Sequence, residues 1–220
     1  MTAPVAAPGP APSPEPGAAP ADGEVESGRK RAEQRSEYID DDFYAVLRLD
    51  TEEWRRPGVA PAPTDTRLRA AVDLVTTEAW LLDEGRFEEW LDLFTAQCAY
   101  IVPASSGGDV QREVTLAFDD RRRLTDRVHW YRTGLASAQV PPSRTSHLLS
   151  APVVVASARP GEIKLRSSVV ISHLRVGAPQ ALAGWTGHVL VEEDGHLRIA
   201  RKLVQLLDAD GGHRNLSFLL

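Results

Sequence analysis

Between residues 147 and 208 the sequence runs through four long segments rich in Val, Ile and Leu: 147–157, 162–175, 181–192 and 197–208. The breaks between them are short and turn-like, ARPG, GAPQ and EEDGH. Segments joined this tightly pair as antiparallel neighbours, because a parallel crossover needs a dozen or more residues. Asp194-Gly195 is itself a two-residue hairpin signal. The patterned segments upstream are mostly helical. Helices first and a run of strands afterwards is the α+β order, not βαβ alternation. The expected fold is a curved antiparallel sheet with three helices packed on one face.

Those three helices can be placed. TDTRLRAAVDLVTTEAWLLDEG carries Leu68, Val72, Val75, Ala79 and Leu82 at spacings of three and four, with Thr64 or Asp65 able to cap its start and Gly85 placed to end it. RFEEWLDLF sets Phe87, Trp90, Leu91 and Phe94 on one side of a second, short helix. DDRRRLTDRVHWYRTG is the third, with acids at its positive end, Leu124, Val128, Tyr131 and Leu135 as its stripe and Gly134 closing it. CAYIVP reads as a first strand and EVTLAF as a second extended piece.

Residues 1–36 begin with a Pro/Ala-rich run and continue with charges lacking periodicity. Such a stretch cannot bury enough apolar area to offset its ordering entropy, so a disordered tail is expected. Residues 37–63 hold an apolar run, YIDDDFYAVLRL, followed by RRPGVAPAP. That reads as a docking arm and linker, and 64–220 as the folded domain. No basic n-region or continuous apolar h-region marks a secretory signal, and no apolar run approaches the roughly 20 residues needed to span a bilayer. With 25 basic and 31 acidic side chains and a formal net charge of -6, the chain lacks the basic surplus of a nucleic-acid binder. The expected compartment is the cytoplasm.

Candidate chemistry is sparse. The single cysteine, Cys98, excludes an internal disulfide or a cysteine-based cluster, and reads as inert packing. Six histidines, at 129, 147, 173, 188, 196 and 213, include no helical i, i+4 pair and no H-x-H. Hydrogen-bonded core or surface histidines are expected rather than metal ligands. Asp73, Asp83, Asp92, Asp119 and Asp120 are carboxylates near helices, with Asp119 and Asp120 better employed at a helix start. The tryptophans at 80, 90, 130 and 185 read as core. VPPSRTSHLLS brings Ser143, Arg144 and His147 together, but without the strained turn that exposes a nucleophilic serine. The paired prolines stop the preceding helix, Ser143 and Thr145 are expected to bond local backbone, and Arg144 is expected to reach a carboxylate under the sheet or across a subunit contact.

The order of helix pair, third helix and long meander resembles the NTF2-like cone, a sheet wrapped around a helix-lined cavity. Three blocks sharpen this. EAWLLDEGRFEEWLDLFTAQCAYIVP, DDRRRLTDRVHWYRTGLASAQVPPSRTSHLLS and RKLVQLLDADGGHRNLSFLL resemble, in order, the opening, the central signature and the close of the small (beta) subunit of bacterial aromatic-ring-hydroxylating dioxygenases. The likeness covers about residues 65–220; the first ~60 residues depart from it. The resemblance implies a non-catalytic assembly subunit holding no cofactor of its own. Its large (alpha) partner would carry a Rieske [2Fe–2S] cluster and a mononuclear non-haem iron, in a three-plus-three assembly fed with electrons from NAD(P)H through separate redox proteins. The residues expected at subunit contacts are Arg121, Arg123, Arg127, Arg144, His147, Phe218, Leu219 and Leu220. The competing expectation is a stand-alone isomerase or dehydratase of the same fold, of ketosteroid-isomerase type, using an Asp/His acid–base pair inside the cone.

Overall fold

A computed structural model describes residues 36–62, 64–106, 109–134, 137–211 and 216–220. The tail expected over residues 1–36 lies outside them, apart from Ser36. The compact unit runs from Arg35 to Leu220. Its helices are α1 (Asp41–Trp54), α2 (Thr66–Asp83), α3 (Phe87–Asp92) and α4 (Arg121–Thr133). Its strands are β1 (Phe94–Pro103), β2 (Thr115–Asp120), β3 (Arg144–Leu149), β4 (Val153–Val155), β5 (Ile163–Arg175), β6 (Ala178–Glu193) and β7 (His196–Leu206). They form one sheet in the order β2-β1-β7-β6-β5-β3, with β4 also on β5.

The meander is antiparallel as expected, but β1 pairs with β7 in parallel. The segment expected as one strand over 147–157 is two short ones. One of the turns also moves: Val176 and Gly177, both at positive φ, link β5 to β6, so GAPQ mostly enters β6. Asp194 and Gly195 make the β6–β7 turn at φ 53° and 76°, the backbone that an Asp-Gly pair favours. Phe94 belongs to β1, not to the second helix, because α3 ends at Asp92.

The two sheet faces are covered differently. Even-numbered residues of β1 (Cys98, Tyr100, Val102) point into the concave core with α2, α3 and α4, the three helices expected on one face. Odd-numbered Ala99 and Ile101 point the other way, into a second core with Leu203, Val189 and α1. Here Tyr44, Leu47 and Trp54 present a helical stripe to the sheet. The arm read from the sequence is therefore a helix that packs on its own chain. Asp40 caps it by accepting from the Phe43 amide at 2.8 Å. Residues following α1 are held too, by a two-residue bridge between Val59 and Val154.

Candidate functional site

A cone of this kind offers chemistry in its interior, so the polar groups buried there decide what it can do. Val75, Ala79 and Leu82 turn one face of α2 inward, and Glu78 lies on that same face at 2% exposure. Lys202 comes from the inward-facing set of β7, also 2% exposed. Its Nζ donates to Glu78 Oε1 at 2.6 Å, and Trp90 Nε1 donates to the same oxygen at 2.7 Å. His188, opposite Lys202 on β6, places Nε2 3.5 Å from Glu78 Oε2. Burial alone would push Glu78 upward, but the Lys202 ammonium and His188 outweigh it and hold the carboxyl well below its usual range. Burial pushes His188 down, so it stays neutral near neutral pH.

The rest of the interior is filled by the chain itself. Lys202 Nζ also donates to the Leu220 carbonyl at 2.6 Å. The Leu220 amide donates to Tyr100 OH at 2.8 Å, and that hydroxyl donates back to the Leu220 carbonyl at 3.2 Å. Phe218 stacks on the His173 ring at 4.0 Å between centroids. Tyr131 OH donates to the Ser217 carbonyl and Gln139 Nε2 to Ser217 Oγ at 2.6 Å. Phe218, Leu219 and Leu220 are 5%, 3% and 2% exposed, so this segment is core.

A cavity of about 220 Å³ is lined by Asp83, Gln139, Ser143, Thr145, Phe87 and Phe218 among others. Asp83 accepts from the His147 amide at 2.8 Å and pairs with His147 Nδ1 at 2.6 Å. Burial opposes ionisation of Asp83, but these contacts outweigh it and keep its pKa low. The other ring nitrogen of His147, Nε2, is buried without a partner among the described residues, and His147 is not among the residues lining the cavity. The pair therefore ties α2 to β3, with the Asp83 carboxylate at the cavity wall and the His147 ring behind it. Ser143 Oγ meets His173 Nε2 at 2.8 Å, separately. The Ser, His and Asp of the sequence thus form two distinct pairs, and Ser143 bonds across the sheet where local backbone was expected.

The other candidates fall as follows. Arg121 donates to the Leu91 and Phe94 carbonyls at 2.6 and 3.0 Å, and Arg123 to the Phe118 carbonyl at 3.1 Å. Arg127 pairs with buried Asp119 at 2.6 Å; burial raises the Asp119 pKa against that pairing. Asp120 caps α4 by accepting from the Arg123 amide at 2.8 Å, and its other oxygen takes the Ser36 amide at 3.0 Å. Asp73 and Asp92 are exposed. Arg144 points outward from β3, with no ion-pair partner among the described residues. Trp90 is core, but Trp80 and Trp130 are 49% and 40% exposed, a correction to the core reading. Trp80 lies off the inward stripe of α2, its ring under the Arg86 guanidinium at 4.9 Å. Burial pushes the Cys98 thiol up to about 12. Among the described residues no group of three His, Cys, Asp or Glu is placed to hold a metal ion, and no helix is long and apolar enough to cross a membrane.

Sequence reasoning missed the buried charges: Glu78 and Lys202 inside, and a second set outside. There, Asp50 and Glu53 of α1 meet Lys164 Nζ, Asp50 at 2.6 Å, while Arg201 joins Asp50 and Glu162 at 2.5 Å each. The available signal was a lysine inside each of two Val/Ile/Leu-rich strands and a glutamate within a helical apolar stripe.

The molecule is an NTF2-like α+β cone whose interior is closed by its own last described residues. Residues 77–210 match the family model described as ring hydroxylating beta subunit, and the chain belongs to that family. The small oxygenase component of a p-cumate 2,3-dioxygenase system from Pseudomonas putida is 35% identical over 180 residues, covering 80% of this chain and 99% of that one. The beta subunit of an N,N-dimethyl phenylurea N-demethylase from a Sphingobium species is 31% identical, over 65% of this chain and 85% of its own. In fold, the beta subunit of benzoate 1,2-dioxygenase from Burkholderia mallei superposes with a TM-score of 0.55 at 23% identity, covering 72% of this chain and all of that one.

Proposed function

We propose that this chain is the assembly subunit of a Rieske-type ring-hydroxylating dioxygenase and carries no catalytic residue itself. The observation that supports this best is the plugged cone. The space where a stand-alone isomerase or dehydratase of this fold would hold substrate contains Phe218, Leu219 and Leu220, and the Lys202–Glu78 ion pair there is consumed internally. Catalytic acids and bases need pKa values near working pH and access to substrate. Asp83 and Glu78 are held low and His188 is sealed.

The oxygen chemistry then belongs to a large subunit with a Rieske [2Fe–2S] cluster and a mononuclear iron, supplied with electrons from NAD(P)H in the cytoplasm. A Rieske centre takes two Cys and two His, and this chain has one Cys. An α3β3 stoichiometry follows the family likeness. Two relatives of similar identity are named for a ring dioxygenase and an N-demethylase. The small subunit therefore leaves the reaction and the substrate to its partner.

The test is co-expression of the tagged chain with a Rieske large subunit from the same genome. The expected result is a stable coloured complex, while the chain purified alone is colourless. Stoichiometric iron in the isolated chain, or a large subunit that never co-purifies, would overturn the reading.

A further inference from the structure

The cavity beside Asp83 has walls that an assembly role does not require. Phe87 and Tyr131, 4.9 Å apart between ring centroids, line it together with Phe218, Leu82 and Leu219. Most of its polar groups are spent on the protein itself. Tyr131 OH donates to the Ser217 carbonyl, and Gln139 holds Ser217 Oγ at 2.6 Å and the Ser143 amide at 3.2 Å. Ser143 Oγ in turn meets His173 Nε2 at 2.8 Å.

Asp83 differs from these. It is the only charged group among the described residues lining the cavity, and its side chain is 22% exposed. No lysine or arginine pairs with it among the described residues; its charged-group contact is His147. Burial opposes its ionisation, but hydrogen bonds from His147 and Thr145 outweigh burial, so the wall carries a carboxylate. A carboxylate accepts at about four positions. Two contacts from His147 and one from Thr145 leave it room for another donor.

Size and charge together narrow what fits. An apolar cavity of ~150 Å³ holds one benzene ring. The space of about 220 Å³ therefore admits a single ring with a short arm. An ammonium on that arm would meet a carboxylate and the faces of aromatic rings, both of which attract cations. A carboxylate or phosphate in its place would meet a like charge in an apolar enclosure. A hydroxyl could donate to Asp83 but would bring no charge to the bond, and such bonds are weaker.

We propose that this cavity binds a small organic cation, a primary ammonium carried on one aromatic ring. Asp83 takes the ammonium, and Phe87, Tyr131 and Phe218 pack the ring. Leu82 and Asp83 come from α2, Thr145 from β3, and Phe218 and Leu219 from the last described residues. A bound molecule thus bridges three separate parts of the chain. The site lies wholly within this subunit and asks no chemistry of it.

Titrating the full-length chain with benzylamine, benzyl alcohol and benzoate at pH 7 tests this, because the three share a ring and differ in charge. Benzylammonium should bind saturably, benzyl alcohol at least tenfold more weakly, and benzoate not at all. Amide shifts caused by benzylamine should centre on Leu82, Asp83, Gly85 and Thr145. Asp83→Asn should lose at least tenfold in affinity for benzylamine and leave benzyl alcohol unchanged. Asp83 also holds β3 through His147, so the wild-type series and its shift map decide alone if that variant fails to fold. Equal affinity for the ammonium and the alcohol, binding of benzoate, or shifts centred outside the cavity would overturn the proposal. Absence of saturable binding at millimolar benzylamine would do the same.

Discussion

Lys202 and Glu78 are the residues on which the interior depends most. Taking two charges out of water costs several kcal/mol per ion, and only close pairing with further hydrogen bonds offsets it. Here Lys202 has two acceptors, Glu78 and the Leu220 carbonyl, and Glu78 also takes the Trp90 indole N–H. Replacing Lys202 with Met strands a buried carboxylate and should cost about 3–5 kcal/mol in urea unfolding. The double variant Lys202→Met, Glu78→Leu should recover much of that loss. Equal destabilisation in the single and double variants would show that packing, not charge pairing, sets the cost. Cys98 is a quieter case: its position in an apolar strand was enough to read it as inert, and its burial agrees.

At the level of elements, α1 and the sheet face beneath it set each other's position. A Cβ on Gly187 would lie 2.5 Å from two atoms of the Trp54 ring. The indole therefore lies directly on the strand backbone, with Arg166 donating to the Trp54 carbonyl at 2.7 Å. Gly187→Ala should lift the C-terminal end of α1 and cost about 1–3 kcal/mol, the range for an overpacked core. Increased amide exchange confined to residues 50–56 would locate the effect; an unchanged unfolding midpoint would count against it. The helical stripe of α1 was only half legible in the sequence. Its apolar residues stood out, but Asp50 and Glu53 lie on its buried side and break the pattern that marks a core-facing helix. Only the spatial pairing with Lys164 and Arg201 makes those acids compatible with burial.

For the whole molecule, the sign of its response to acid follows from the direction of its pKa shifts. Burial depresses His188 and His173; contacts with partners depress Glu53, Glu78, Asp83 and Asp120 against the opposing effect of burial. A depressed value means the unfolded chain takes up the proton first. The histidines therefore contribute stability above about pH 6.5, and the carboxylates above about pH 4, the unfolded values; both contributions are lost as pH falls. Stability should decline from about pH 6.5 downward and then more steeply below about pH 4. His188→Gln should flatten the first part of that decline by up to ~1.4 kcal/mol per pH unit, the most one titrating group can give. An identical slope in urea-unfolding free energy between pH 7 and 5 would remove His188 from the account.

The sequence by itself determined the class of fold. Val/Ile/Leu-rich segments with short turns permit little besides an antiparallel meander, and three helical stripes, two of them with local caps, must cover one of its faces. These are near-neighbour properties, written in residues a few positions apart. The tertiary structure alone decided the use of the cone. Filling it depends on Tyr100, Tyr131, His173 and Lys202 converging from four elements onto residues 217–220. The outward isolation of Arg144, beside carbonyl-bound Arg121 and Arg123, was equally out of reach. An arginine reads the same in a sequence whether it caps a backbone, neutralises a buried acid or waits at a surface. Its role is fixed by which groups the fold brings within about 3 Å of its guanidinium.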